Sequence, residues 1–237
     1  MIDAHCHVVG DADCHFICSP SPLITPSSLI NDPSFGRAEA RPSHSFFFLG
    51  THPWDAAKFD AEALRQTLAA NPRIGVGEIG LDRLKEREIS ATMRETFAAQ
   101  LEIAAEFSRP VVLHGAKCWG EVVKAAQSFA GRIPAFLFHG FSRSDGLLSD
   151  IAAMNGFISI CPAILNDHAV NYRRLAARIP NNLLLIETDR TPENAAVTPS
   201  IHDVAAKLAK MRGISMDSLC AILDRNAGRF VEAIRGK

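Results

Sequence analysis

The chain has 237 residues, of which 47% are hydrophobic and 22% charged, a composition typical of one globular domain of α/β-barrel size. Lys and Arg number 25 against 26 Asp and Glu, so the formal net charge is −1. This balance excludes a strongly basic protein that coats nucleic acid and a protein with an acidic tail, but it leaves open an enzyme with a local basic rim.

Short apolar runs alternate with stretches of helical spacing, which predicts βα units and a parallel sheet. Eight strands are the number that closes a barrel, and we therefore expect a single TIM-like (β/α)8 barrel over residues 1–237. Its first two units are expected to be irregular, because Ser19 to Ser43 is rich in Pro, Ser and Asn. The predicted strands are Ile2 to Val8, His15 to Cys18, Ser45 to Leu49, Ile74 to Ile79, Pro110 to His114, Ala135 to His139, Phe157 to Ile160 and Leu183 to Glu187.

The predicted helices should pack on the outside of this barrel. The clearest follows the fourth strand, where Thr92 and Glu95 have the spacing of a capping box before an apolar stripe from Met93 to Ala104. The last predicted helix, Ser215 to Ile234, is expected to break into two pieces near Asn226. The other helices are predicted at Asp60 to Ala70, Trp119 to Phe129, Asp145 to Met154, Ala169 to Arg178 and Ser200 to Met211.

The sequence favours a cytoplasmic protein. Its start has neither the positive region nor the apolar region of a secretory signal, and its longest uncharged stretches are too polar or too short to span a bilayer. Six cysteines in such a chain are better explained as reduced thiols than as a disulfide framework. We expect no membrane association and no obligate protein partner.

Residues that can bind metal recur at the ends of the predicted strands. His5 and His7 are two residues apart on an extended run, so their imidazoles point to the same face. Four further residues end the fourth, fifth, sixth and eighth strands. In a parallel barrel these ends open on one face, where active sites form. They are Glu78, His114, His139 and Asp189.

Four imidazoles and two carboxylates without an obligatory thiolate suit Zn, Mn, Co or Mg. One strand-end His alone is more often a hydrogen-bonded residue than a ligand. Six such residues on five strand ends have no ready packing explanation, because buried polar groups are costly without partners. The set exceeds the needs of one tetrahedral ion, so we expect two divalent ions, of unresolved identity among Zn, Mg and Mn.

Several short motifs follow one another along the chain. They resemble, over nearly its whole length, those of the TatD-type metal-dependent deoxyribonuclease family of amidohydrolase-like barrels. The motifs are Ile-Asp-Ala-His-Cys-His at 2–7, Gly-Thr-His-Pro at 50–53, Gly-Glu-Ile-Gly-Leu-Asp at 77–82, Gln-Leu-Glu-Ile-Ala at 100–104, Arg-Pro-Val-Val-Leu-His at 109–114, Phe-His-Gly-Phe-Ser at 138–142, Glu-Thr-Asp at 187–189, and Asn226 with Arg229 and Phe230.

The resemblance implies a two-metal hydrolase that cleaves phosphodiester bonds of DNA, often from the 3′ end. By position it implies that His5, His7 and Asp189 hold one ion, that His114 and His139 hold the other, and that Glu78 bridges them. Asp189 would also act as general base. The family commonly has Ser and Cys where this chain has Gly115 and Gly140.

Residues around this set are candidates for substrate contact. His52 resembles a family position close to the site, and Asp82 is expected to orient a ligand imidazole or a neighbouring loop. Trp54 could stack on a base or serve as a lid or core residue. A positive rim for phosphate could come from loop residues on the same face. These are Arg83, Lys85, Lys117, Arg143 and Arg190.

Two other functions stay open. The same barrel and metals could hydrolyse a small-molecule lactone, amide or phosphoester, because the fold does not fix the substrate. A metal-binding protein without catalysis is the third possibility, although the complete ligand set argues against it. Relatives that use a carboxylated lysine would need Lys in place of Glu78.

Overall fold

The computed structural model describes residues 1–8, 12–19, 45–85, 87–142 and 145–235. The predicted segment Ser19 to Ser43 lies outside these ranges from residue 20 onward. Eight strands lie within them, each where one is predicted, with ends shifted by at most three residues. They are β1 (Ile2–Cys6), β2 (Cys14–Ser19), β3 (Ser45–Leu49), β4 (Gly75–Asp82), β5 (Val111–Ala116), β6 (Phe136–Phe138), β7 (Gly156–Ile160) and β8 (Leu184–Ile186).

The strands form one parallel sheet in chain order from β1 to β8. Its first and last strands also lie side by side: the Asp189 N–H donates to the His5 carbonyl at 3.0 Å, and the His7 N–H donates to the Arg190 carbonyl at 2.7 Å. The buried Asp3 carboxylate strengthens this contact by accepting hydrogen bonds from the Thr188 N–H and hydroxyl. The sheet is therefore curled and TIM-like, which confirms the predicted fold class.

Helices pack against the outer face of this sheet through a large apolar cluster that includes Phe97, Leu101 and Leu208. Among the helices described, none is long and apolar enough to cross a membrane. The helices are α1 (Ala61–Ala70), α2 (Ala91–Glu106), α3 (Trp119–Gln127), α4 (Leu148–Ala153), α5 (Val170–Arg178), α6 (Ile201–Arg212) and α7 (Met216–Arg235), with 3-10 turns at Pro53–Lys58, Asp145–Leu147, Pro162–Leu165 and Asn181–Leu183.

A smaller apolar cluster fills the inside of the sheet and sets the level of the polar residues above it. Its members include Val112, Leu137, Phe157 and Leu185, packed with Phe230 of α7. Side chains alternate along a strand, so the residue two positions further on faces the same interior. Those positions are occupied by His114, His139, Ser159 and Glu187.

Two local predictions were wrong. The N-cap of α2 is Ser90, whose side chain accepts from the Met93 N–H, so the helix begins before Thr92 and uses no capping box there. A capping box is formed at α6 by Ser200 and Asp203. The last helix, α7, runs unbroken through Asn226, because that side chain does not compete for the helix backbone. Instead it donates to the carbonyls of Asn181 and Leu184 at 2.6 and 2.8 Å.

We predict that Asn226→Ala lowers the free energy of unfolding by about 1–3 kcal/mol, because two backbone carbonyls beneath α7 lose their donor. Urea unfolding followed by circular dichroism measures the change. Asn171→Ala, at an exposed position of α5, is the control and should stay within about 0.5 kcal/mol of wild type. Equal midpoints for the two variants would contradict this role of Asn226.

Candidate metal centre

The Glu78 carboxylate is the centre of the site at the carboxyl ends of the strands. It is buried on β4, and its two oxygens face two separate pairs of imidazoles. Oε2 lies 3.6 Å from His5 Nε2 and 3.7 Å from His7 Nε2. Oε1 lies 2.6 Å from His114 Nδ1 and 2.5 Å from His139 Nε2. One carboxylate thus joins two donor groups that come from three other strands.

Asp189 completes the group on the His5 side. Its Oδ1 lies 3.5 Å from His5 Nε2 and 3.8 Å from His7 Nε2, and 48% of its side chain is exposed. The residue has a left-handed backbone with φ +51°, which Asp tolerates better than most side chains. Its N–H is bonded to β1, and its carbonyl accepts from the Asn194 side chain. Asp189 therefore combines a fixed backbone with an accessible carboxylate.

Glycines allow β4 to approach β5 closely enough for these contacts. A Cβ on Gly77 would lie 2.7 Å from Val112 Cβ, and a Cβ on Gly80 would lie 2.0 Å from the His114 carbonyl oxygen. Both distances are shorter than real Cβ contacts allow. The glycines on either side of Glu78 thus permit its carboxylate to reach His114.

Each of the four imidazoles has an outer partner that fixes its orientation. His7 Nδ1 donates to the Cys18 carbonyl at 2.9 Å, and His5 Nδ1 lies 3.4 Å from Cys18 Sγ. On the other side, His114 Nε2 lies 2.9 Å from Asp82 Oδ2. This arrangement directs the remaining ring nitrogen of each imidazole toward the centre, as is usual for metal-ligating histidines.

The outer partner of His139 is a second buried carboxylate. His139 Nδ1 lies 3.5 Å from Glu187 Oε1, and Glu187 Oε2 accepts from the Ser159 hydroxyl. All three side chains are buried. Glu187 was quoted in the sequence only as part of a motif; its position two residues beyond an inward-facing leucine of β8 was the signal that could have found it.

The charges of the site are strongly coupled. Burial alone would raise the pKa of Glu78, but His139 and His114 outweigh it and hold that pKa well below the usual range. Burial would lower the pKa of His139, but Glu78 and Glu187 outweigh it and raise that pKa well above the usual range. The buried carboxylates therefore require positive charge at the centre, which protons or cations can supply.

The donor set fits divalent metal. His5 Nε2 is buried and has no hydrogen-bond partner, although it points at two carboxylates. An unpartnered buried nitrogen beside carboxylate oxygens is costly unless a cation occupies the centre. Within the ranges that the structure covers, three groups of potential ligand atoms each lie within 4.8 Å of one another: His5 with His7 and Glu78, His5 with His139 and Asp189, and His52 with Glu78 and His114.

His52 differs from the other imidazoles in its hydrogen bonding. Its Nδ1 accepts from the Trp54 N–H at 3.2 Å, so in the neutral ring the proton lies on Nε2, which is 3.8 Å from Glu78 Oε1. Burial lowers the pKa of His52 to about 4, with Glu78 acting in the opposite direction. His52 therefore presents a neutral N–H donor to the centre.

The centre opens into a cavity of about 290 Å³. Its wall combines the metal-binding side chains with His52 and with the half-exposed indole of Trp54. The residues that line it are His7, His52, Trp54, Asp55, Glu78, His114, His139, Asp189 and Thr191.

Most of the chain matches one known protein family. The family described as TatD related DNase matches residues 26–232. The chain belongs to this family. As a member of the TatD family it is a metal-dependent hydrolase.

Two curated relatives and one solved structure illustrate the likeness. The chain is 28% identical over 207 residues to the 3′-5′ ssDNA/RNA exonuclease TatD of Pectobacterium atrosepticum, with 81% of this chain and 80% of the relative covered. It is 26% identical over 192 residues to the metal-dependent hydrolase YabD of Bacillus subtilis, with 77% and 75% covered. The crystal structure of the TatD homologue YjjV from Escherichia coli shares the fold, with a TM-score of 0.80, 22% identity and 97% and 96% coverage.

One departure of this chain from the usual TatD pattern has a packing explanation. A Cβ on Gly115 would lie 2.3 Å from the ring of Trp119, which is buried against Phe138 and Phe141. The indole thus fills the space that a side chain at Gly115 would take. Gly140, the other departure, has a left-handed backbone with φ +56°, which favours glycine.

Of the basic residues proposed as a rim, Arg83, Lys117 and Arg190 do not line the metal cavity. Arg83 pairs with Glu121 at 2.6 Å and lines, with Lys117, a separate cavity of about 380 Å³. The guanidinium of Arg190 donates to the carbonyls of Ala195 and Thr198, and its contact with substrate stays a prediction. Arg143 lies outside the described residues.

We predict that Asp82→Asn weakens one metal site selectively. The Asn oxygen can still accept from the Leu84 and Lys85 N–H groups, as Asp82 does, but the partner of His114 Nε2 changes from a carboxylate to an amide. Loss of such an outer partner typically costs 10–100-fold in metal affinity. Calorimetric titration with Mn²⁺ should show that loss for one ion, with the other ion retained.

Asp217→Asn, at an exposed position on α7, is the matched control and should bind both ions as wild type does. Equal weakening of both ions, or no weakening, would contradict the assignment of Asp82 to the His114 side.

Proposed function

We propose that this chain is a phosphodiesterase that removes nucleotides from the 3′ end of single-stranded DNA or RNA, with two divalent ions at the centre described above. The observation that carries the proposal is the Glu78 carboxylate, whose two oxygens face two separate donor groups. The relatives named as 3′-5′ ssDNA/RNA exonucleases support the choice of substrate.

The residues divide naturally between the two ions. His5, His7 and Asp189 would hold one, His114 and His139 the other, and Glu78 would contact both. When bound, such a pair of ions acidifies water and offsets the charge that develops on a phosphate during in-line displacement. Zn, Mn and Mg all accept this mixture of imidazole and carboxylate donors.

Asp189 would act as the general base. Its carboxylate is the half-exposed member of the set and lines the cavity, so water and substrate can reach it. As the water oxygen forms a bond to phosphorus, Asp189 would accept the water proton. The P–O bond to the neighbouring nucleotide would break with its electron pair on the 3′ oxygen, which takes up a proton from solvent. The pKa of Asp189 is lowered by His5 against the effect of burial, which keeps the carboxylate ionised and ready to accept.

His52 would contribute a hydrogen bond to a phosphate oxygen. Its Nε2–H faces the cavity, and its neutral ring adds a donor without competing for a cation. A donor held in place before the reaction favours the charged transition state without reorganisation. Because the Nδ1 lone pair already accepts from the Trp54 N–H, His52 is suited to binding substrate rather than metal.

The backbone of His52 is held from outside the site by Gln100 of α2. The Gln100 side chain accepts from the Thr51 N–H at 2.7 Å and donates to the Thr51 carbonyl at 3.0 Å. Both residues are buried. This double hydrogen bond fixes the segment between β3 and the 3-10 turn that carries His52.

We predict that Asp189→Asn lowers kcat for a 3′-end single-stranded substrate by about 10²–10⁴-fold, the usual contribution of a general base. The assay follows a 5′-labelled oligonucleotide in Mg²⁺, Mn²⁺ or Zn²⁺, with its duplex form and a generic phosphodiester beside it. Wild type should shorten the single strand from its 3′ end, and a chelator should stop the reaction.

Glu193→Gln, an exposed substitution in the loop after Asp189, is the control and should keep wild-type activity. Full activity of Asp189→Asn at unchanged metal content would overturn the general-base assignment. Inert oligonucleotides together with metal-dependent cleavage of a lactone, an amide or a small phosphoester would overturn the nuclease and establish the alternative hydrolase.

A further inference from the structure

Trp54 presents an exposed indole beside the metal cavity. Its side chain is 53% exposed, and it lines both the metal cavity and a neighbouring cavity of about 250 Å³. The wall of the neighbouring cavity is mixed: Pro53, Ala56 and Met93 are apolar, and Lys85, Ser90 and Thr92 are polar. A large aromatic surface left open next to a reaction centre is more readily explained by a ligand than by core packing.

The indole is held at a fixed position relative to the metal-binding side chains. Its ring contacts the His52 ring edge-on at a centroid distance of 4.7 Å, and the His52 ring lies at the same distance from the His114 ring. The backbone N–H of Trp54 also donates to His52 Nδ1. A continuous row of rings therefore connects the exposed indole to a candidate metal ligand.

A positive charge accompanies the exposed ring. Lys85 Nζ lies 5.3 Å from the centroid of the Trp54 ring, within the range of a cation–π contact. The Lys85 backbone N–H donates to Asp82 Oδ1, and Oδ2 of the same carboxylate contacts His114. Asp82 thus links the loop that carries Lys85 to the metal centre.

We propose that Trp54 and Lys85 form a binding site for one unpaired nucleotide that flanks the bond to be cleaved. The base stacks on the Trp54 indole at the boundary of the two cavities, and the Lys85 ammonium neutralises a neighbouring phosphate. An aromatic platform with an adjacent cation is the usual means of binding single strands with little sequence preference. This inference rests on the proposed nuclease function and adds to it the two residues that bind the nucleotide beside the cleaved bond.

The charge balance of the cavity supports this placement of the cation. Arg83 is paired with Glu121, and Arg190 donates to backbone carbonyls, so neither guanidinium is directed at the cavity. Lys85 contacts the Trp54 ring that forms part of the cavity wall. It is therefore well placed to contact a phosphate beside a base that stacks on Trp54.

The first test compares oligonucleotides that carry a normal base or an abasic residue at the last two 3′ positions. Stacking of one base is worth about 1–3 kcal/mol, so Trp54→Ala should lower kcat/KM for the normal strand by about 5- to 150-fold. The same substitution should change kcat/KM for the abasic strand little, and Trp54→Phe should keep most of the activity. Leu84→Ala removes an exposed side chain next to Lys85 and is the control.

A second test measures binding without turnover. In the presence of a chelator, a single-stranded oligonucleotide should quench the tryptophan fluorescence of wild type, and a blunt duplex should not. The quenching should vanish in Trp54→Phe, because the other tryptophan, Trp119, is buried. Lys85→Gln should reduce the salt dependence of binding by about one counterion.

The outcomes separate this inference from the proposed function. Equal losses by Trp54→Ala on normal and abasic strands, or quenching that persists in Trp54→Phe, would overturn the nucleotide site and leave the nuclease standing. Failure of wild type to cleave any oligonucleotide would overturn both.

Discussion

A single buried carboxylate, that of Glu78, organises this molecule. A buried charge is tolerated only with partners, and four imidazoles at or just past the ends of β1, β5 and β6 supply them within 2.5–3.7 Å. The glycines around Glu78 let β4 and β5 approach, and closure of the sheet between β1 and β8 brings Asp189 beside His5. The barrel thus serves to bring distant strand ends around one carboxylate.

The sequence predicted that these side chains lie close together, because strand periodicity and the alternation of strands and helices are local, repeated signals. Once Glu78, His114 and His139 are placed at strand ends, the barrel brings those ends to one face. Two local details were wrong. Asn226 donates to the carbonyls of Asn181 and Leu184, which are far along the chain, instead of breaking its helix, and Ser90 rather than Thr92 caps α2.

The outer contacts of the imidazoles were the least predictable part of the site, although they decide its chemistry. Cys18 and Glu187 contact His5, His7 and His139 from outside, whereas the hydrogen bond from the Trp54 N–H places the proton of neutral His52 on Nε2. These roles depend on sub-ångström geometry, which spacing alone does not encode. They separate four potential ligands from one hydrogen-bond donor. The formal net charge of the chain is −1, so we expect the positive charge that binds a phosphate to lie at the metal centre and in its immediate surroundings.

Anomalous diffraction from crystals soaked in Mn²⁺ tests the central claim most directly. The account predicts two peaks roughly 3.5–4 Å apart on either side of the Glu78 carboxylate. It predicts one near His5, His7 and Asp189, and the other near His114 and His139. A single peak at full occupancy, or two peaks that do not share Glu78, would contradict it.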